Sequence, residues 1–187
     1  IFSRSVADAE NLIEELGGTP VIIKLARGTH GRGVVLAETK RVARSVLQAF
    51  YLQDTDGTNI LVQEFIKEAA GSDVRAFIVG GKVVASMRRQ SLEDDFRSNI
   101  HQGGTGTSTK LSDEERKTAQ KAARSIGLTS LCGVDMIRSD RGPLVLEVNA
   151  SPGFAIEKVT GRNVAEKIIE YVERGAKQRR RRDRVGA

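Results

Sequence analysis

The apolar residues of this chain fall into short runs broken by glycine and polar stretches, and their spacing alternates between strand-like and helix-like. Ser5-Val6-Ala7-Asp8 resembles a capping box, in which a side-chain oxygen takes an otherwise orphaned amide at a helix start; Gly17-Gly18 ends the helix it would open. Val21-Ile22-Ile23-Lys24 reads as a strand, Gly28-Thr29-His30-Gly31-Arg32-Gly33 as a glycine-rich loop and Val34-Val35-Leu36 as a second strand. Val42, Val46, Ala49 and Phe50 stand at helical spacing, and Ile60-Leu61-Val62-Gln63 is strand-like again. Val74 to Val79 and Lys82 to Met87 flank Gly80-Gly81, a hairpin signal because both turn residues need positive φ. Residues 90–110 are polar and glycine-rich and are expected to form one long loop, of the kind that is usually functional or disordered. Ser112-Asp113-Glu114-Glu115 is a second capping box, opening a helix that ends at Gly127. Val134 to Arg138 and Leu144 to Val148 make another hairpin around Asp140-Arg141. A last helix begins near Asn163, with Val164, Ile168 and Val172 on one stripe. The expected fold is α+β, with mainly antiparallel sheets and helices packed on them.

The second hairpin carries the most informative chemistry. Glu147 and Asn149 are two apart on one strand and so share a face. A turn centred near residue 140 or 141 puts Asp135 opposite Glu147, give or take one residue. Three oxygen-bearing side chains then converge, a set that suits Mg²⁺ or Mn²⁺ better than zinc. The same spacing also arises on the outward polar face of an exposed hairpin. Gly28, Gly31 and Gly33 would let backbone amides close over phosphate oxygens. The loop is neither a Walker A motif nor a dinucleotide fingerprint, since no Gly-Lys-Ser/Thr follows and the next element is a strand; an ordinary hairpin turn is the plain alternative. Lys24, at the end of the preceding strand, is placed to reach a phosphate or to face solvent. Arg75, Arg88, Arg89 and Arg97 gather around the first hairpin and the long loop, where arginine forks suit phosphate and carboxylate. His30, His101 and Cys132 form no nucleophilic triad.

Composition narrows the class. The 187 residues suffice for one domain or two small lobes with a core. No apolar run reaches the roughly 20 residues that span a bilayer. One cysteine excludes an internal disulfide and fits a reducing, cytoplasmic setting. The net charge is +6, yet from Gly175 onward there are six Lys or Arg and one Asp, so the rest of the chain is close to neutral. That basic tail, residues 176–187, is expected to be disordered, either as a solvated terminus or as a contact for RNA or another acidic surface. With 4% aromatics and no Trp, the composition argues against a stacking platform for single strands. The chain starts at Ile1 and not Met, as expected of part of a longer protein.

In order along the chain, these pieces resemble the ATP-grasp fold, and most closely the RimK family of glutamate ligases. The strings that carry the resemblance are Val21 to Leu25, Gly28 to Glu38, Leu61 to Glu68, Asp73-Val74-Arg75, Asp95-Phe96-Arg97-Ser98-Asn99, Gly133-Val134-Asp135 and Gly142 to Gly153. They cover roughly residues 1–175, about the C-terminal two thirds of such an enzyme, without its N-terminal domain. The resemblance implies two α+β lobes with antiparallel sheets gripping ATP: about 20–80 as the ATP-binding lobe with a glycine-rich lid, and 81–175 as the metal and catalytic lobe. It implies that Lys24, Gly28, Gly31 and Gly33 contact ATP phosphates, that Glu64 and Phe65 hold the adenine, and that Asp73 faces the ribose. Arg97, Ser98 and Asn99 would lie along the phosphates and the reacting carboxylate, with Arg88 a further member of the catalytic group. Asp135, Glu147 and Asn149 would hold two Mg²⁺ or Mn²⁺ ions. The implied activity joins L-glutamate to the C-terminal glutamate of a small-subunit ribosomal protein through an acyl phosphate, in a tetrameric enzyme. The rival readings are a ligase of the same fold acting on a small molecule or carrier protein, in lysine or arginine biosynthesis or cofactor glutamylation, and a non-catalytic nucleotide-dependent RNA-binding module.

Overall fold

The computed structural model describes residues 2–3, 5–26, 33–52, 59–91, 98 and 104–185. They form two compact units, Ile1–Lys67 and Glu68–Ala187. The division therefore falls at 67/68 and not near residue 80. A break near 80 would cut the Gly80-Gly81 hairpin, whose two strands are neighbours in one sheet.

The first unit is a four-stranded sheet in the order β1-β4-β2-β3 with two helices. Its elements are β1 (Phe2–Ser3), α1 (Val6–Glu15), β2 (Val21–Leu25), β3 (Val34–Ala37), α2 (Lys40–Leu52) and β4 (Ile60–Glu64). The Ser5 side chain accepts from the Asp8 amide and caps α1, as its sequence predicts. Alternation decides the faces: Val21, Ile23, Ile60, Val62 and Ala37 pack with Ala9 and Ile13 of α1 and Ala43 and Leu47 of α2. Two ion pairs join the exposed sides of the helices, Lys40 to Glu14 at 2.7 Å and Arg44 to Glu10 at 2.6 Å.

The second unit is a five-stranded antiparallel sheet, β7-β6-β5-β8-β9. After a short 3₁₀ turn (Lys67–Ala69) come β5 (Ser72–Val79), β6 (Lys82–Gln90), β7 (Thr105–Ser108), α3 (Asp113–Ser125), β8 (Leu131–Ser139), β9 (Gly142–Asn149), α4 (Ala155–Thr160) and α5 (Val164–Val185). One face buries Val74, Ala76, Ile78, Cys132, Val134 and Met136 under α3. Part of the other face buries Phe77, Val79, Ala85 and Met87 under Ile156 of α4 and Val164 of α5. Gly80 (φ +56°) and Gly81 (φ +74°) make the turn as expected. A Cβ on Gly80 would also come within 2.5 Å of the Tyr171 ring.

Three expectations change. Thr105–Ser108, assigned to a long loop, is instead the edge strand β7, paired with Met87 to Gln90. The basic tail, expected to be disordered, is helical as far as Val185, the end of α5. Lys, Arg, Gln and Ala are good helix formers, and cations suit the negative C-terminal end of a helix dipole. Val172 is exposed although it continues the predicted stripe, whereas Val164 is buried; the stripe turns with the 3.6-residue period, so Ile168 and Tyr171 take the next places on the core.

Glu115 joins α3 to β8. Ser112 and Glu115 exchange both capping-box bonds, and Glu115 Oε1 also accepts from Arg138 Nε at 2.6 Å. Burial would raise the Glu115 carboxyl, but Arg138 and the Ser112 amide outweigh it and hold its pKa below the ordinary 4.5. Replacing Glu115 with Ala should cost about 1–2 kcal/mol at neutral pH. A lowered folded-state pKa means that this contribution is complete above 4.5 and fades as pH falls through the folded value. Urea midpoints of wild type and variant, measured from neutral pH into acid, should therefore converge below about pH 4.5.

Candidate active site

The charged part of the second sheet's other face, the one partly covered by α4 and α5, is built by register. β5 pairs with β8 so that Arg75 lies opposite Asp135, and β8 pairs with β9 so that Asp135 lies opposite Glu147. On the other side of β5, Asp73 lies opposite Arg89 of β6. Paired residues share a face, so Arg89, Asp73, Arg75, Asp135 and Glu147 come together, and Asn149 lies two residues beyond Glu147. Gly133, opposite Asn149, is part of the same surface; a Cβ there would stand 3.0 Å from Pro152 and 3.7 Å from Arg75 Nε.

Both hairpins depart from simple pairing by one residue. A regular two-residue turn at Asp140-Arg141 would set Asp135 against Leu146. An irregularity between Asp135 and Met136 sets it against Glu147 instead. Likewise a regular turn at Gly80-Gly81 would set Asp73 against Arg88. A shift between Phe77 and Ile78 puts Arg89 there. Arg88, expected in the catalytic group, is thus on the opposite face: it is paired with the core residue Val74 and donates to Ser72 Oγ at 2.7 Å and Gln90 Oε1 at 2.9 Å. The sequence groups Arg89 with Arg75, Arg88 and Arg97 but does not single it out over Arg88, because a bulge inside an apolar strand has no clear signature in the side chains.

The resulting hydrogen bonds alternate in charge. Arg75 grips Asp135 with both arms of its fork, Nε to Oδ1 and Nη2 to Oδ2, each at 2.6 Å. Arg89 Nη2 donates to Asp135 Oδ2 at 2.7 Å and also to Asp73 Oδ2, while its Nε donates to Asp73 Oδ1 at 2.7 Å. Ser98, itself buried, hydrogen-bonds to Asp73. Only 3% of Arg89 and 2% of Asp135 is exposed, so each charge depends on its partners for solvation. Burial would raise Asp135, but the two arginines hold it below the usual carboxylate range. Burial pushes the Asp73 carboxyl up from its ordinary value, against the pull of Arg89.

Glu147 differs from its neighbours, with 61% of its side chain exposed and its Oε1 4.0 Å from Arg75 Nη2. Asn149 Oδ1 accepts from the Ser151 amide at 2.9 Å, which shapes the turn after β9. Two carboxylates and one amide, all oxygen donors, fit a hard divalent cation. Among the described hydrogen bonds, Asp135 Oδ1 accepts from Arg75 alone, which leaves a lone pair for a ligand bond. No cluster of three or more His, Cys, Asp or Glu that could hold a metal occurs among the described residues.

The remaining expected residues belong to the first unit or lie outside the description. Lys24 pairs with Val34 and Leu61, on the sheet face away from α1 and α2. Glu64 is exposed at the end of β4, and Phe65 follows it half-buried. Gly33, at φ +71°, is where its carbonyl accepts from the Leu25 amide at 2.9 Å. Gly28, Gly31, Arg97 and Asn99 lie outside the described residues.

The family model described as the RimK-like ATP-grasp domain matches residues 1–172. The chain belongs to the RimK-like ATP-grasp family. It is 53% identical over 185 residues to a probable alpha-L-glutamate ligase of Picosynechococcus sp., covering 98% of this chain and 60% of that protein. It is 55% identical over 177 residues to one from Cellvibrio japonicus, covering 94% of this chain and 58% of that protein. The chain thus spans about three fifths of the length of these curated relatives. Among solved structures it is similar to the ATP-grasp ligase PsnB complexed with minimal precursor, Mg and ADP, with a TM-score of 0.67 at 20% identity, over 92% of this chain and 52% of that one. That likeness concerns the fold, and the antiparallel sheets and helices described above agree with it.

Within this family fold, Asp135→Asn should weaken the two buried arginine contacts at once and lower stability by about 3–5 kcal/mol. Glu147→Gln, on an exposed side chain, should change it by no more than about 0.5 kcal/mol. Paired urea titrations of the two variants check the contrast.

Proposed function

We propose that the intact protein is an ATP-dependent carboxylate–amine ligase that adds L-glutamate to the C-terminal glutamate of a small-subunit ribosomal protein through an acyl phosphate. The observation that carries this reading is the pairing of Asp135 with Glu147, with Asn149 on the same face, in a chain of the RimK-like family. The curated relatives are named alpha-L-glutamate ligases, and the PsnB structure holds Mg and ADP on a similar fold. The choice of acceptor rests on the resemblance around Asp95 to Asn99.

Asp135, Glu147 and Asn149 would hold the Mg²⁺ or Mn²⁺ ions, which when bound supply positive charge against the phosphate oxygens of ATP. Lys24 would contact the phosphates, Glu64 and Phe65 the adenine, and Asp73 the ribose. Arg97 and Asn99 would orient the reacting carboxylate and neutralise charge on the transferring phosphoryl group. In the first step the acceptor carboxylate oxygen bonds to the γ-phosphorus and ADP leaves. In the second, the glutamate amine attacks the acyl carbon, inorganic phosphate leaves and an amide remains. Gly28, Gly31 and Gly33 would shape a lid that keeps water from the acyl phosphate. A reducing, cytoplasmic location suits the free, buried Cys132, and no helix among the described residues is long and apolar enough to cross a membrane.

Because Glu147 is exposed, Glu147→Gln separates chemistry from folding. ADP release by the intact protein with magnesium, glutamate and the ribosomal acceptor should fall at least about 100-fold in this variant, with its urea midpoint unchanged. Wild-type ADP release should need both glutamate and acceptor and stop on chelation. Turnover with lysine or another amine in place of glutamate would move the assignment to a small-molecule or carrier ligase.

A further inference from the structure

Arg89 is neither an expected metal ligand nor an expected nucleotide contact, yet it joins one of each, Asp135 and Asp73. Its Nη2 nitrogen carries two hydrogens and donates to both carboxylates, Asp73 Oδ2 and Asp135 Oδ2, while Nε holds Asp73 Oδ1. The guanidinium is planar, so those donors keep a fixed angle to each other. Its side chain is 4% exposed, and those of Asp73 and Asp135 are 7% and 3% exposed, so little water is at hand to replace either contact. Asp135 is further fixed by the Arg75 fork, and Asp73 by Ser98. The bulge between Phe77 and Ile78 is what brings Arg89 rather than Arg88 to this place. A buried bridge of this kind moves as one body: a displacement of either carboxylate is passed to the other.

We propose that Arg89 is a positioning residue that locks Asp73 and Asp135 together, so that one guanidinium sets both the nucleotide-facing and the cation-facing carboxylate. This rests on the reading of the site as an ATP and divalent-cation site. Lysine at this position keeps the charge but offers a single ammonium in place of the fork, and so cannot hold both carboxylates in the same geometry. The inference therefore concerns two separate binding events, which can be read without turnover: Mn²⁺ affinity in the absence of nucleotide, by electron paramagnetic resonance, and affinity for a fluorescent ATP analogue in the presence of chelator.

In the intact protein, Arg89→Lys should weaken both affinities about 10-fold or more, the range seen when residues behind a metal ligand are changed. A folded Arg89→Lys protein, shown by circular dichroism and a cooperative melt, that keeps either affinity at the wild-type value overturns the bridge. Asp73→Asn provides a second arm that leaves Arg89 in place. Asp73 is not an expected metal ligand, so loss of its grip on Arg89 should still weaken Mn²⁺ binding without nucleotide several-fold; unchanged Mn²⁺ affinity contradicts the proposal. Wild-type protein that binds neither Mn²⁺ nor the analogue overturns the site reading itself, an outcome distinct from the failure of Arg89 alone.

Discussion

Two aspartates and two arginines share the interior of one sheet face, and the arrangement of that face depends on their alternation. Taking one such charge out of water costs several kcal/mol even after relaxation. Here every charge is bracketed by an opposite one: Asp73 by Arg89, Arg89 by both aspartates, and Asp135 by Arg89 and Arg75. Among the described residues no buried side-chain nitrogen or oxygen lacks a hydrogen-bond partner, which is the condition under which such a network orders a sheet instead of loosening it. The network also holds Asp135 ionised, as a ligand to a cation must be.

The sheet makes room for these charges by dividing its two faces unequally. One face is apolar and covered by α3. The other is apolar only where α4 and α5 cover it, and becomes charged toward Arg75 and Asp135. Strand alternation alone would not produce this surface, because each hairpin needs one irregular step to bring its acid or arginine into line. Bulges of this type twist and re-aim a strand locally without ending its pairing. Gly133 serves the same surface by leaving space for Pro152, which follows the Asn149 turn.

Much of this was legible in the amino acids. Ser5, Ser112, Gly80 and Gly81 carry local chemistry strong enough to place α1, α3 and the first hairpin. The Asp135–Glu147 pairing was predictable to within one residue, and that one residue is the bulge. What was not legible depends on partners distant in sequence. Thr105-Gly106-Thr107-Ser108 has no apolar alternation, and is a strand because β6 offers it an edge. Arg88 and Arg89 are equivalent by local sequence, and only the register of β5 with β6 tells them apart. In the tail, charge suggested disorder, whereas helix propensity continued α5. The division between units follows sheet membership, and residue 80 sits in the turn that joins two strands of one sheet.

Asp135, Glu147 and Asn149 are proposed here as one cation site in a chain of the RimK-like ATP-grasp family. Crystals of the intact protein grown with Mn²⁺ and a non-hydrolysable ATP analogue test it most directly, since manganese can be located by anomalous scattering. Anomalous peaks bonded to oxygens of Asp135, Glu147 and Asn149 are the expected result. Peaks bound elsewhere, with Asp135 held by Arg75 and Arg89 alone and Glu147 turned to solvent, would contradict it.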